Sequence, residues 1–199
     1  MKPRDSIRYL FALSAVLLCG CTEQPPPAEA PENRSPQEMA VVFDIDGTLT
    51  PKVHAVRKVR PDAAGVASAL AGKGYRIVYL SARVKVLQSG IPAWLRENGF
   101  PDGIIRVAET AQDRRHPAIF KAAVLTELIE QGWNVRYAYG DSSTDFEAYA
   151  AVGIPRDRVF ALLREGKKTC QPGEWNTCLV GWTEHLDFIR QSVPPVTYD

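Results

Sequence analysis

The run VVFDIDGTLT, residues 41–50, sets two carboxylates, Asp44 and Asp46, one residue apart where a β-branched and aromatic stretch gives way to glycine. In an extended strand, side chains two positions apart share a face, so both acids can reach one bound group, and Gly47 lets the backbone turn away after them. Paired carboxylates of this kind can divide a reaction between a nucleophile or base and an acid. Acids at strand ends also cap helices or bind water, so the pair takes its meaning from its company. Ser81 follows a second apolar stretch in YLSAR, Lys121 sits in the helical pattern IFKAA, and Asp141 and Asp145 follow another apolar stretch in YGDSSTD.

Those residues need a frame to converge on. Apolar runs at 39–45, 75–81, 102–108, 135–141 and 158–163 read as strands, and helical patterns at 61–74, 84–99, 117–132 and 143–153 lie between them, each ending in glycine. Strand alternating with helix predicts an α/β fold with a parallel sheet, and near-continuous apolar strands fit burial on both faces. In open sheets of this type ligands collect at the carboxyl ends of the strands. Asp44 with Asp46, Ser81 and Asp141 all fall there.

The ordered set Asp44-x-Asp46-Gly47-Thr48, Ser81, Lys121 and Gly140-Asp141-x-x-x-Asp145 resembles the haloacid dehalogenase (HAD) superfamily of aspartate-nucleophile phosphatases. The resemblance implies a HAD-like Rossmannoid sheet with helices on both faces, and a phosphomonoester hydrolase working through an aspartyl phosphate. Asp44 would attack phosphorus. Asp46 would protonate the departing alcohol and then activate water. Ser81 and Lys121, with the Gly47-Thr48 turn, would bind the phosphate. Carboxylates gathered this closely repel by about 4 kcal/mol per pair at about 4 Å and an effective dielectric near 20, so a cation is required. Oxygen ligands suit Mg²⁺, taken up by Asp44, the main-chain carbonyl of Asp46, and Asp141. Asp145 either reaches the metal through water or caps the helix that follows it.

DIDGTLT, YLSAR, FKAAVL and YGDSSTDFEAYAAVGIPRDRVFAL are similar in particular to the LNS2 domain of lipins, the Mg²⁺-dependent phosphatidate phosphatases, from about Val41 to Phe188. Two positions depart from that pattern: His116 stands where those proteins often carry a lysine, leaving Lys121 as the preferred cation, and Asp141 stands where they carry asparagine. Some LNS2-like domains bind phosphatidate without turnover, having lost catalytic acids; both acids are kept here. The intervals from Gly47 to Ser81 and from Ser81 to Lys121 are too short for a separate cap domain, so the site should lie open to a bulky substrate such as a lipid headgroup. The implied reaction is phosphatidate to diacylglycerol and phosphate, with a broad periplasmic acid phosphatase or a phosphatidate-binding module as alternatives.

The remaining features bound the setting. The chain of 199 residues is 45% hydrophobic and 24% charged, with a formal net charge of +1. That suits one globular domain and lacks the basic excess of a nucleic-acid binder. Residues 1–20 have a basic start and an apolar run too short to span a bilayer, the pattern of an export signal. The run ends in LCGC, similar to a bacterial lipobox that would make Cys21 the acylated first residue. An exported lipoprotein, held at the outer membrane and facing the periplasm, is the expectation. Residues 21–39 read as a Pro-rich tether, 40–190 as the catalytic domain and 191–199 as a loose tail. In an oxidising compartment Cys170 and Cys178 would form a disulfide, with two free thiols as the alternative. Lys52, His54, Arg57, Lys58 and Arg60 form either a basic flap toward anionic phospholipid or a solvated loop.

Overall fold

A computed structural model describes residues 38–197 with the exception of residue 56. The expected signal segment, Cys21 and most of the tether lie outside the described residues. Among the described residues no helix is long and apolar enough to cross a membrane.

Six strands, β1 (Met39–Asp44), β2 (Arg76–Ser81), β3 (Ile104–Val107), β4 (Asn134–Gly140), β5 (Val159–Leu162) and β6 (Thr177–Leu179), form one sheet in the order β3-β2-β1-β4-β5-β6. Every pairing is parallel. The strand order reverses between β1 and β4, so their carboxyl ends flank the crevice in which such sheets bind ligands. The helices are α1 (Ala63–Gly72), α2 (Ile91–Glu97), α3 (Ala111–Arg115), α4 (Pro117–Glu130), α5 (Ser143–Ala151) and α6 (Thr183–Ser192). No further domain is inserted between β1 and α1 or between β3 and α4, so the expected absence of a large cap holds among the described residues.

Alternation along β1 builds two cores. Val41 and Phe43 join one face beneath α1, α2 and α6, while Ala40 and Val42 join the other beneath α4 and α5. On the first face Phe43, Tyr139 and Phe160 stack across β1, β4 and β5, with ring centroids 4.8 and 5.2 Å apart. Each such ring taken out of water contributes roughly 1.5–3 kcal/mol. This fixes the central strands whose ends carry the acids.

Three expectations change. The pattern at 84–99 is not one helix: a 3₁₀ turn covers Lys85–Leu87 and α2 begins only at Ile91, because Pro92 is tolerated only in a first turn. The edge strand β6 and helices α3 and α6 were not anticipated. The final segment is not loose: α6 runs to Ser192, buried Val193 follows, and Val196 N donates to Lys73 O at 2.7 Å while Tyr75 Oη donates to Pro194 O at 3.0 Å.

Candidate active site

β1 ends on Asp44 in extended conformation, and the chain then folds into a tight turn in which Gly47 takes φ +94°. A side chain there would be strained by that dihedral and obstructed as well, since a Cβ would lie 2.1 Å from Asp141 Oδ2. Thr50 Oγ1 accepts from Gly47 N at 2.9 Å. Arg60 clamps the turn from outside, donating from Nη2 to Gly47 O at 2.7 Å and to Leu163 O at 2.9 Å, and from Nε to Thr50 O at 3.2 Å. Buried and fully engaged, Arg60 is no part of an exposed basic flap. Lys52 pairs with Glu165 at 3.5 Å, and His54, Arg57 and Lys58 are exposed.

Asp44 is 2% exposed. Lys121 Nζ, from the buried face of α4, donates to Asp44 Oδ1 at 2.5 Å and also to Asp145 Oδ1. The other oxygen of Asp44, Oδ2, is buried with no hydrogen-bond partner. Asp145 sits in the first turn of α5, where its Oδ2 accepts from the backbone N–H of Asp141 and of Ser142, each at 3.0 Å, and from Ser142 Oγ at 2.9 Å. It is therefore a capping-box acid whose second oxygen holds Lys121 in place. His116 is exposed at the start of α4, and Lys121 is the cation paired with Asp44.

The second aspartate of the pair is held differently. Ser81 Oγ donates to Asp46 Oδ2 at 2.6 Å and Arg83 Nε donates to Asp46 Oδ1 at 2.5 Å. Ser81 is fully buried behind the cleft, so its hydroxyl orients an acid rather than facing the cavity. Thr48 is also fully buried, with its hydroxyl unpartnered and its carbonyl accepting from Trp182 Nε1 at 3.2 Å; it braces the turn from within. Asp141, at the end of β4, accepts from Arg164 Nε at 2.5 Å. Asp44, Asp46, Arg83, Lys121, Asp141 and Arg164 line an open cleft of about 350 Å³. Ser81, Asp145 and the Gly47-Thr48 turn support it from behind.

Arg83 and Arg164 were missed by reading the sequence. Arg83 lies two residues beyond Ser81 and Arg164 just after β5, but no local pattern in the sequence shows either guanidinium turning toward the acids.

Ligating oxygens of Asp44, Asp141 and Asp145 all lie within 4.8 Å of one another. Burial pushes the Asp44 carboxyl well up; Lys121 opposes that shift, and the neighbouring acids add to it. Asp141 is likewise raised to about 6 by burial and then by Asp145, against the pull of Arg164. For Lys121 burial acts downward, but Asp145 and Asp44 outweigh it, so the ammonium is held charged. Carboxylates that burial and mutual repulsion drive toward protonation form a site short of positive charge. A divalent ion fits: the donors are hard oxygens, and Gly47, where a Cβ would fill the space beside Asp141, leaves the approach to that acid clear. Asp145 offers less, since both its oxygens are already engaged.

Away from this cluster of acids, the two cysteines expected to pair do so: Cys170 and Cys178 are joined by a disulfide.

Known proteins share parts of this sequence and its fold. Residues 41–163 match the family described as PITM 1-3, LNS2 domain. Protein retinal degeneration B of Drosophila melanogaster is 33% identical over 137 residues, covering 67% of this chain and 11% of that protein. Human membrane-associated phosphatidylinositol transfer protein 3 is 31% identical over 132 residues, covering 64% and 13%. The chain thus spans only a small part of the length of these relatives. Among solved structures, the cobalt-bound form of deoxy-D-mannose-octulosonate 8-phosphate phosphatase from Haemophilus influenzae superposes with a TM-score of 0.52 at 18% identity, covering 78% of this chain and 88% of that one. D,D-heptose 1,7-bisphosphate phosphatase from Burkholderia thailandensis gives 0.51 at 17%, covering 77% and 99%. With a HAD-like fold and a family match across most of its sheet, the chain belongs to the LNS2 domain family of the PITM 1-3 proteins.

Proposed function

We propose that this domain is a Mg²⁺-dependent phosphomonoester hydrolase acting on phosphatidate at a membrane surface. The observation that carries the reading is the division of labour at Asp44: Lys121 pins Oδ1 at 2.5 Å, and Oδ2 is left without a partner. Oδ2 attacks phosphorus as the ester P–O bond breaks, giving an aspartyl phosphate, and Asp46 delivers a proton to the departing alkoxide. Asp46, now a carboxylate, takes a proton from water as that water attacks phosphorus, which releases phosphate and restores Asp44. Ser81 and Arg83 keep Asp46 oriented through both steps. Asp44 and Asp141, with the main-chain carbonyl of Asp46, would hold Mg²⁺, which would supply positive charge against the phosphoryl oxygens. The lack of an inserted cap supports a bulky substrate, and relatives that are named membrane-associated phosphatidylinositol transfer proteins support a lipid one. Export and acylation of Cys21 belong to the same proposal, and the mass of the mature N-terminal peptide checks them.

The test is phosphate release from phosphatidate in mixed micelles and from p-nitrophenyl phosphate, with Mg²⁺ and with EDTA. The expected result is metal-dependent release, a higher kcat/KM on phosphatidate, and a loss of about 10³-fold or more in Asp44→Asn. Preference for the soluble ester would redirect the reading to a broad phosphatase. No metal-dependent release from these or from a wider phosphoester panel would overturn the hydrolase and leave a phosphatidate-binding module.

A further inference from the structure

Few large apolar side chains are exposed on the described surface, and four of them gather at the mouth of the cleft: Val86 at 81%, Val84 at 54%, Val53 at 43% and Leu87 at 42%. Val53, Val84 and Leu87 line the cleft itself. Val86 and Leu87 line an adjoining groove together with Arg57. Two loops meet here, the one after β1 and the one after β2, so the patch is built at the carboxyl edge of the sheet beside the acids.

Charge accompanies the apolar groups. From Gly47 to Pro61 and from Ala82 to Arg96 the chain contains no Asp or Glu. Arg60 and Arg83 are consumed by the site and Lys52 by Glu165, but Arg57, Lys58 and Lys85 are exposed and form no ion pair among the described residues. Glu97 is the one acid among the residues lining that groove. The 3₁₀ turn at Lys85–Leu87 thus interleaves a cation with apolar side chains in the sequence Val84-Lys85-Val86-Leu87. Exposed valines in water gain nothing, whereas at a bilayer interface they enter the apolar layer while the flanking cations meet lipid phosphates.

We propose that the tip formed by residues 84–87, with Val53 and Arg57 beside it, is a docking surface for an anionic phospholipid bilayer, seating the mouth of the cleft against the headgroup layer. The purpose of this docking rests on the hydrolase reading, but the docking itself does not. Charge complementarity selects the occupant: each exposed cation near an anionic surface strengthens binding by about fivefold, and a neutral protein partner would make no use of them.

The experiment is hydrogen–deuterium exchange on the full chain reconstituted with vesicles of phosphatidylcholine, with or without phosphatidylglycerol. Phosphatidylglycerol is a diester, so the result is independent of phosphomonoester turnover. The expected result is that phosphatidylglycerol slows exchange in 84–90 by about fivefold or more and leaves 177–182 unchanged. Val86→Asp and Lys85→Glu should each abolish the added protection. Val180→Asp, which alters an equally exposed valine at 77%, should preserve it. Protection that ignores the anionic lipid, that survives Val86→Asp, or that falls equally in Val180→Asp overturns the proposal. Intact docking in a protein with no hydrolase activity would instead sink only the catalytic reading.

Discussion

Asp46 receives two charge-assisted or short hydrogen bonds, from Arg83 Nε at 2.5 Å and Ser81 Oγ at 2.6 Å, and both donors are buried. A side chain anchored at both oxygens has one orientation, which is what proton delivery to a leaving group demands. Arg83→Gln therefore has a specific expected signature. On alkyl phosphomonoesters, whose alkoxide needs a proton, kcat should fall by about 10²-fold. On p-nitrophenyl phosphate, whose leaving group departs unaided, it should fall far less. Steady-state rates on the two substrates check this, since a merely structural loss would lower both together. The same residue shows what a sequence can disclose at this scale. Asp44 and Asp46 were legible from their place at the end of an apolar run, although β1 ends at Asp44 and it is the tight turn after it, not a shared strand face, that brings Asp46 to the cleft. Asp141 was legible because it ends another apolar run. Arg83 sits in a cationic, solvent-like stretch, and nothing local reveals that its guanidinium turns inward to 8% exposure against Asp46. Arg164 depends on β5 lying beside β4, a tertiary fact.

Elements position these side chains through their ends. α5 starts with a reciprocal capping box, Ser142 and Asp145, and the acid that caps it also fixes Lys121 of α4, so one residue sets both the helix start and the placement of the cation beside Asp44. The first five strands and helices α1, α4 and α5 were readable from apolar runs and terminal glycines, and α2 as the second half of a longer pattern. β6 has three residues, too few to show a period. It is held at the edge of the sheet by pairing Phe160 with Thr177 through Leu162 with Leu179, and by the Cys170–Cys178 disulfide, which ties the preceding loop to it. A crosslink closing so short a loop restricts the unfolded chain by roughly 2–3 kcal/mol. Replacing both cysteines by serine should lower unfolding free energy by about that amount, read from the urea midpoint at unchanged slope. A smaller loss would mean that β6 is held by packing alone. Since Arg164 opens that loop, looser pairing with Asp141 should accompany the change.

At the scale of the whole molecule, stability is shared between two cores on opposite faces of one sheet, and the first of them contains a titratable group. His185 on α6 lies among Tyr139, Phe160, Trp182 and Phe188, with its Nε2 2.9 Å from Tyr139 Oη. Burial lowers its pKa to about 4. The folded protein therefore keeps His185 neutral, whereas the unfolded chain protonates it near 6.5. Between those values the unfolded state binds more protons, so stability from this group is complete above about 6.5 and is lost as pH falls toward 4, a change of the order of 3 kcal/mol. Asp141 works in the opposite sense. Its carboxyl is raised to about 6 in the fold, so its contribution is greatest below the ordinary carboxylate range and declines as pH rises through 6. In metal-free protein Asp141 and Asp44, both raised by burial, oppose His185, and the wild-type curve is the balance of these groups. His185→Gln removes one side of the balance. Chemical denaturation in EDTA should then show the variant gaining on the wild type by about 3 kcal/mol between pH 6.5 and 4, with no further divergence above 6.5. A constant difference across that range would mean that His185 is protonated in the folded core, with Tyr139 and its aromatic neighbours accommodating the charge.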